Sequence, residues 1–131
     1  MATPVIGPRR ILVVDDEPLV CDSIKRMLIF DGHKVETATS GREALALFEE
    51  RKFDLIIIDY RMPVMKGDQL AAAIKSRAPD QPILMISATA AMLQASDNPL
   101  AGGDDLISKP FPLDELREAI VRVLLKEDPA V

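Results

Sequence analysis

Cysteine is almost missing from this chain. Cys21 stands alone among 131 residues, which excludes an internal disulfide, a secreted disulfide scaffold and any multi-cysteine metal cluster, and fits a reducing, cytoplasmic setting. Long apolar runs are missing too. Uninterrupted stretches such as Ile11–Val14 and Leu55–Ile58 are four residues long, far short of the roughly 20 that a membrane-spanning helix needs, so no membrane association is expected. A surplus of basic charge is also absent. Sixteen Lys and Arg face 21 Asp and Glu, for a net charge of −5, which repels a phosphate backbone and argues against direct nucleic-acid binding. The opening residues, with Pro4, Gly7, Pro8 and the pair Arg9-Arg10, lack a signal-peptide core.

What is present is a high apolar share, 48%, enough to exclude intrinsic disorder of the whole. At this length the chain has room for one compact domain. We place that domain at residues 10–127, after a disordered lead-in at 1–9 and before a fraying tail at 128–131.

Ile11-Leu12-Val13-Val14 is a β-branched-rich run that reads as a strand buried on both faces of a parallel sheet. Pro18 suits a first helical turn, and Val20, Ile24, Met27 and Leu28 follow at helical spacing until Asp31-Gly32. Lys34 to Ala38 alternates with period two, which suits an edge strand. Ser40 and Glu43 have the spacing of a capping box for a second helix running to about Lys52. Leu55–Ile58 and Ile83–Ile86 repeat the buried-strand pattern, and Leu70, Ala71 and Ile74 mark the helix between them. Ala90 to Ala101 has weak periodicity and ends near Pro99, so the fourth helix is expected to be short and mobile. Leu106-Ile107-Ser108 is a short fifth strand, and Leu113, Leu116, Ile120, Val123 and Leu124 give a strong last helix. Five strands alternating with five helices predict a doubly wound parallel α/β sheet with ligands at the carboxyl ends of its strands.

Those ends would gather Asp15, Asp16, Asp59, Ser87 and Lys109. Three carboxylates in one small site raise one another's pKa unless a cation intervenes, and all-oxygen ligation favours a hard divalent ion such as Mg²⁺. His33, after a glycine, reads as an exposed turn residue, and Cys21, beside acidic groups, as unreactive. Met62 and Met65 are expected to pack under the loop that follows Asp59.

Asp15-Asp16, then Asp59 with Met62-Pro63 and Gly67, then Ser87-Ala88, then Lys109-Pro110-Phe111 resemble, in order and spacing, the receiver domain of two-component response regulators. The resemblance spans roughly Arg10 to Lys126. It implies a flavodoxin-like (βα)5 fold with strand order 2-1-3-4-5, and a phosphoacceptor function rather than an enzyme acting on a separate substrate. By it, Asp59 takes a phosphoryl group from a sensor histidine kinase or histidine phosphotransfer protein. Asp16 would ligate Mg²⁺ directly, Asp15 mainly through water, and Asp59 with the backbone carbonyl of Arg61 would complete the set. Lys109 and Ser87 would contact phosphoryl oxygens, with Lys109-Pro110 in the family's cis form. Output would pass to a protein target through the face of the fourth helix, fifth strand and fifth helix, where many relatives also form phosphorylation-dependent homodimers.

Two departures stand out. Leu106 replaces the family's switch aromatic, three residues before the lysine. Arg61 and Thr89, which with Ala88 flank the acceptor and the hydroxyl, occupy positions that tune attack of water on the acyl phosphate, and Arg61 is expected to shield it. Two other readings compete with this one. An aspartate-nucleophile phosphohydrolase resembles Asp-x-Asp after the strand, where this chain has Arg61. A phosphate-independent interaction module on the same fold is favoured only by Leu106 and the weak fourth helix.

Overall fold

The computed structural model describes residues 7–126; the lead-in before residue 7 and the tail at 128–131 lie outside the described residues. Ten elements alternate strictly: β1 (Arg10–Val14), α1 (Pro18–Phe30), β2 (Lys34–Ala38), α2 (Gly41–Glu50), β3 (Leu55–Asp59), α3 (Gly67–Arg77), β4 (Ile83–Ser87), α4 (Ala90–Gln94), β5 (Asp105–Ser108) and α5 (Leu113–Lys126). All four strand pairings are parallel, in the order β2-β1-β3-β4-β5. This is the doubly wound, flavodoxin-like order expected from the sequence.

The continuous apolar runs are the central strands. Ile11 to Val14, Leu55 to Ile58 and Ile83 to Ile86 are all essentially inaccessible. Because successive side chains leave a strand on opposite faces, these runs feed two cores. Leu12, Val14, Ile56, Ile58, Ile83 and Met85 meet residues of α2, α3 and α4 on one face. Ile11, Val13, Leu55, Ile57, Leu84 and Ile86 meet residues of α1 and α5 on the other. The alternating segment Lys34–Ala38 is an edge strand, as its period implies.

Local details follow the sequence with small shifts. Ser40 Oγ accepts the Glu43 N–H at 3.1 Å, and α2 stops at Glu50 with Arg51 as its C-cap, two residues before Lys52. The fourth helix is short, five residues. At the far end of the sheet from the carboxyl ends, Arg117 of α5 clamps Asp31 after α1 through two bonds of 2.7 Å, which holds the Asp31 carboxyl below its ordinary value. His33 departs from expectation. It is buried, and its Nδ1 accepts the Arg9 N–H at 3.0 Å, because that amide precedes β1 and needs an acceptor. Burial lowers the His33 pKa.

Candidate functional site

The strand ladders set the site. Asp59 is the last residue of β3, and the next amide, Tyr60 N–H, donates to Ile86 O of β4 at 2.8 Å. Lys109 N–H donates to Ser87 O at 3.0 Å, which carries the lysine just past β5 beside the end of β4. Asp15 N–H donates to Ala38 O at 3.1 Å. Asp15, Asp59, Ser87 and Lys109 therefore sit at one edge of the sheet. The Lys109–Pro110 bond is cis.

Lys109 is the hub. Its Nζ lies 2.9 Å from Asp15 Oδ2 and 3.1 Å from Asp59 Oδ1. Both carboxylates are nearly sealed from solvent, Asp15 at 1% and Asp59 at 6% exposure. Burial, and then the charge of Asp15, push the Asp59 carboxyl up to about 6 even though Lys109 pulls it down. For Lys109, burial acts against the ammonium, but hydrogen bonds to Asp15 and Asp59 win and raise it above its ordinary value.

Asp16, partly buried, and Glu17, exposed, complete the acidic edge. One oxygen from each of Asp15, Asp16 and Glu17 lies within 4.8 Å of the others, and Asp59 joins them through the shared Lys109. Glu17 escaped the sequence reading, and its signal is its place beside Asp15-Asp16 in a strand-to-helix turn. Asp15 is braced by the Glu17 N–H, which donates to Oδ1 at 2.9 Å. Two carboxylates thus share one ammonium, and two more lie beside Asp15. Oxygen-only donors, surplus negative charge and the Asp59 carboxyl forced upward in pKa together suit a hard divalent cation.

The loop after Asp59 is folded tightly back. Gly67 N–H donates to Tyr60 O at 2.9 Å, and a Cβ on Gly67 would stand 2.5 Å from Asp59 O and 2.7 Å from Tyr60 Cα, so only glycine fits. Met65 is anchored over Gly41, and Met62 is buried, as expected for residues packed under this loop. Arg61 is exposed at its rim. A cleft of about 650 Å³ runs from Tyr60, Arg61 and Lys66 to Thr89, Met92 and Leu93.

The remaining sequence candidates scatter around this center. Ser87 is fully buried, but its hydroxyl meets Thr89 Oγ1 at 3.0 Å and accepts the Thr89 N–H at 2.9 Å. Ala88 and Pro110 are exposed. Leu106 is buried with Leu93 and Ala90, on the α4 side of the sheet. Cys21 Sγ lies 3.3 Å from Asp15 O, and burial followed by the charge of Asp15 pushes its thiol up to about 11, which leaves it unreactive.

Comparison with known proteins agrees with this fold. The model of the response regulator receiver domain matches residues 11–121. The response regulator MprA of Mycolicibacterium vanbaalenii is 40% identical over 119 residues, covering 91% of this chain and 51% of that protein. This chain thus spans about half the length of the curated relatives it matches. The structure of chemotaxis protein CheY4 of Vibrio cholerae is 32% identical with a TM-score of 0.82, covering 90% of this chain and all of that one. Response regulator TrrA of Thermotoga maritima, solved in complex with Mg²⁺ and BeF, is 35% identical with a TM-score of 0.80, over 88% of this chain and 99% of that one. With the family model matched over residues 11–121 and the strand order 2-1-3-4-5 in place, the chain belongs to the response regulator receiver domain family.

Proposed function

We propose that this receiver domain is a phosphoacceptor in which Asp59 is the residue modified. The observation that carries the reading is the single ammonium of Lys109 within 3.1 Å of two buried carboxylates, Asp15 and Asp59. An Asp59 oxygen attacks phosphorus of a partner's phosphohistidine; the new O–P bond forms as the N–P bond breaks, and the imidazole leaves with the electron pair. Lys109 follows a phosphoryl oxygen as a point charge, and Ser87 donates its hydroxyl to another. Asp15, Asp16 and Asp59, with the backbone carbonyl of Arg61, would hold Mg²⁺. The ion, when bound, supplies charge neutralisation between carboxylate and phosphoryl oxygens. Arg61, at the rim, shields the acyl phosphate from water.

The proposed donor is a sensor histidine kinase or a histidine phosphotransfer protein, and the setting is cytoplasmic. Among the described residues no helix is long and apolar enough to cross a membrane. The proposed output face is formed by α4, β5 and α5, where Met92 projects into solvent and where a phosphorylated copy could pair with another. Incubation with Mg²⁺ and acetyl phosphate, followed by intact-mass measurement, tests the reading. A one-phosphoryl gain that is abolished in Asp59→Asn is expected; no gain, or an equal gain in the variant, overturns it.

A further inference from the structure

Ser87 ends β4 with its hydroxyl closed off from solvent. A serine hydroxyl has one proton to donate and two lone pairs to offer. One lone pair takes the Thr89 N–H at 2.9 Å, and the other polar neighbour is the Thr89 hydroxyl at 3.0 Å. An amide nitrogen accepts nothing, so among the described residues the buried Ser87 proton has one acceptor, Thr89 Oγ1. Thr89 is itself partly exposed, and its own proton can go to water. The direction of the hydroxyl pair follows from satisfying the buried donor first.

A second observation agrees. Thr89 is the N-cap residue of α4, where a threonine side chain ordinarily accepts an amide proton of the first turn. Here it makes no such bond. The hydroxyl turns back to Ser87 and leaves the first turn uncapped by a side chain.

We propose that Thr89 is a positioning residue whose hydroxyl holds the Ser87 proton away from Asp59 in the unmodified protein, so that a phosphoryl group must win that proton from Thr89. The inference rests on the phosphoacceptor reading of Asp59. It makes Thr89 an opponent of the phosphorylated form, separate from any influence on attacking water. Removing the Thr89 hydroxyl leaves the buried Ser87 donor unsatisfied only in the unmodified state, because a phosphoryl oxygen satisfies it in the other. The balance then moves toward the phosphoryl-bound form.

Thr89→Val keeps the branched shape and deletes the hydroxyl, while Thr89→Ser keeps the hydroxyl. The probe is beryllofluoride, made from beryllium chloride and sodium fluoride with MgCl₂, titrated into the whole chain and followed by the fluorescence of Tyr60, the sole tyrosine in a chain without tryptophan. Thr89→Val is expected to bind about fivefold or more tightly than the parent, and Thr89→Ser to restore the parent value. Equal or weaker binding by Thr89→Val, or a Thr89→Ser variant that matches Thr89→Val, overturns the proposal while parent binding leaves the phosphoacceptor reading standing. Failure of the parent itself to bind overturns both.

Discussion

Asp59 is held between two opposing influences, a low-dielectric setting beside Asp15 and an ammonium 3.1 Å away. The first dominates and places the carboxyl near 6, against 3.8 for an ordinary aspartate. Folding therefore disfavours ionisation. Below about pH 3.8 both folded and unfolded states carry the proton and there is no penalty. The penalty grows as pH rises through about 4 to 6, and above that it reaches on the order of 3 kcal/mol. In EDTA, Asp59→Asn is thus expected to raise thermal stability relative to the parent at pH 7, with a smaller gain at pH 5, and Mg²⁺ should stabilise the parent more at pH 7 than at pH 5. Thermal unfolding at the two pH values checks both signs. Asp15, Asp59 and Lys109 were legible because each closes or follows a buried strand. His33 was not, because its burial answers the unpaired Arg9 amide 24 positions away, which no local pattern records. The orientation of the Thr89 hydroxyl was equally hidden, since a threonine before a helix ordinarily reads as a cap.

At the scale of elements, strands were the most readable part. A run such as Leu55–Ile58 has no polar face, so it belongs at the center of a sheet with helices above and below, and the alternating Lys34–Ala38 belongs at an edge. Connections were less readable. Asp104, in the loop before β5, accepts from Lys75 Nζ at 2.8 Å and from Ile83 N–H at 2.8 Å, tying α3 to the start of β4 through a residue that reads in sequence as an ordinary turn aspartate. The loop from Tyr60 to Gly67 combines both cases: its Met-Pro and Gly spacing is visible, while the close approach of Gly67 to the Asp59 carbonyl is a three-dimensional fact. Gly67→Ala would force a methyl against backbone atoms that cannot yield. We expect a loss of about 1–3 kcal/mol, read as a lower urea midpoint at unchanged slope, together with slower phosphoryl uptake as the Asp59 carbonyl is displaced.

For the whole molecule, the two cores are one cooperative unit because β1, β3 and β4 contribute alternate residues to both. Leu28→Ala on the α1 side and Leu70→Ala on the α3 side, both fully buried, should each destabilise by about 2–5 kcal/mol. In each variant the molecule should still unfold in one step, with far-UV circular dichroism and Tyr60 fluorescence giving the same midpoint. Two separated transitions would mean that the faces melt independently.

The bond from Lys109 to Asp15 joins residues 94 positions apart. Its two ends lie just past the first and the last strands of the sequence, and parallel pairing supplies only non-local contacts. A chain emerging from the ribosome carries Asp15, Asp16 and Asp59 long before the lysine that bridges two of them. On the proposed reading, competence to receive a phosphoryl group is thus acquired only when β5 has joined the sheet, and the signalling chemistry doubles as a test that this domain has folded.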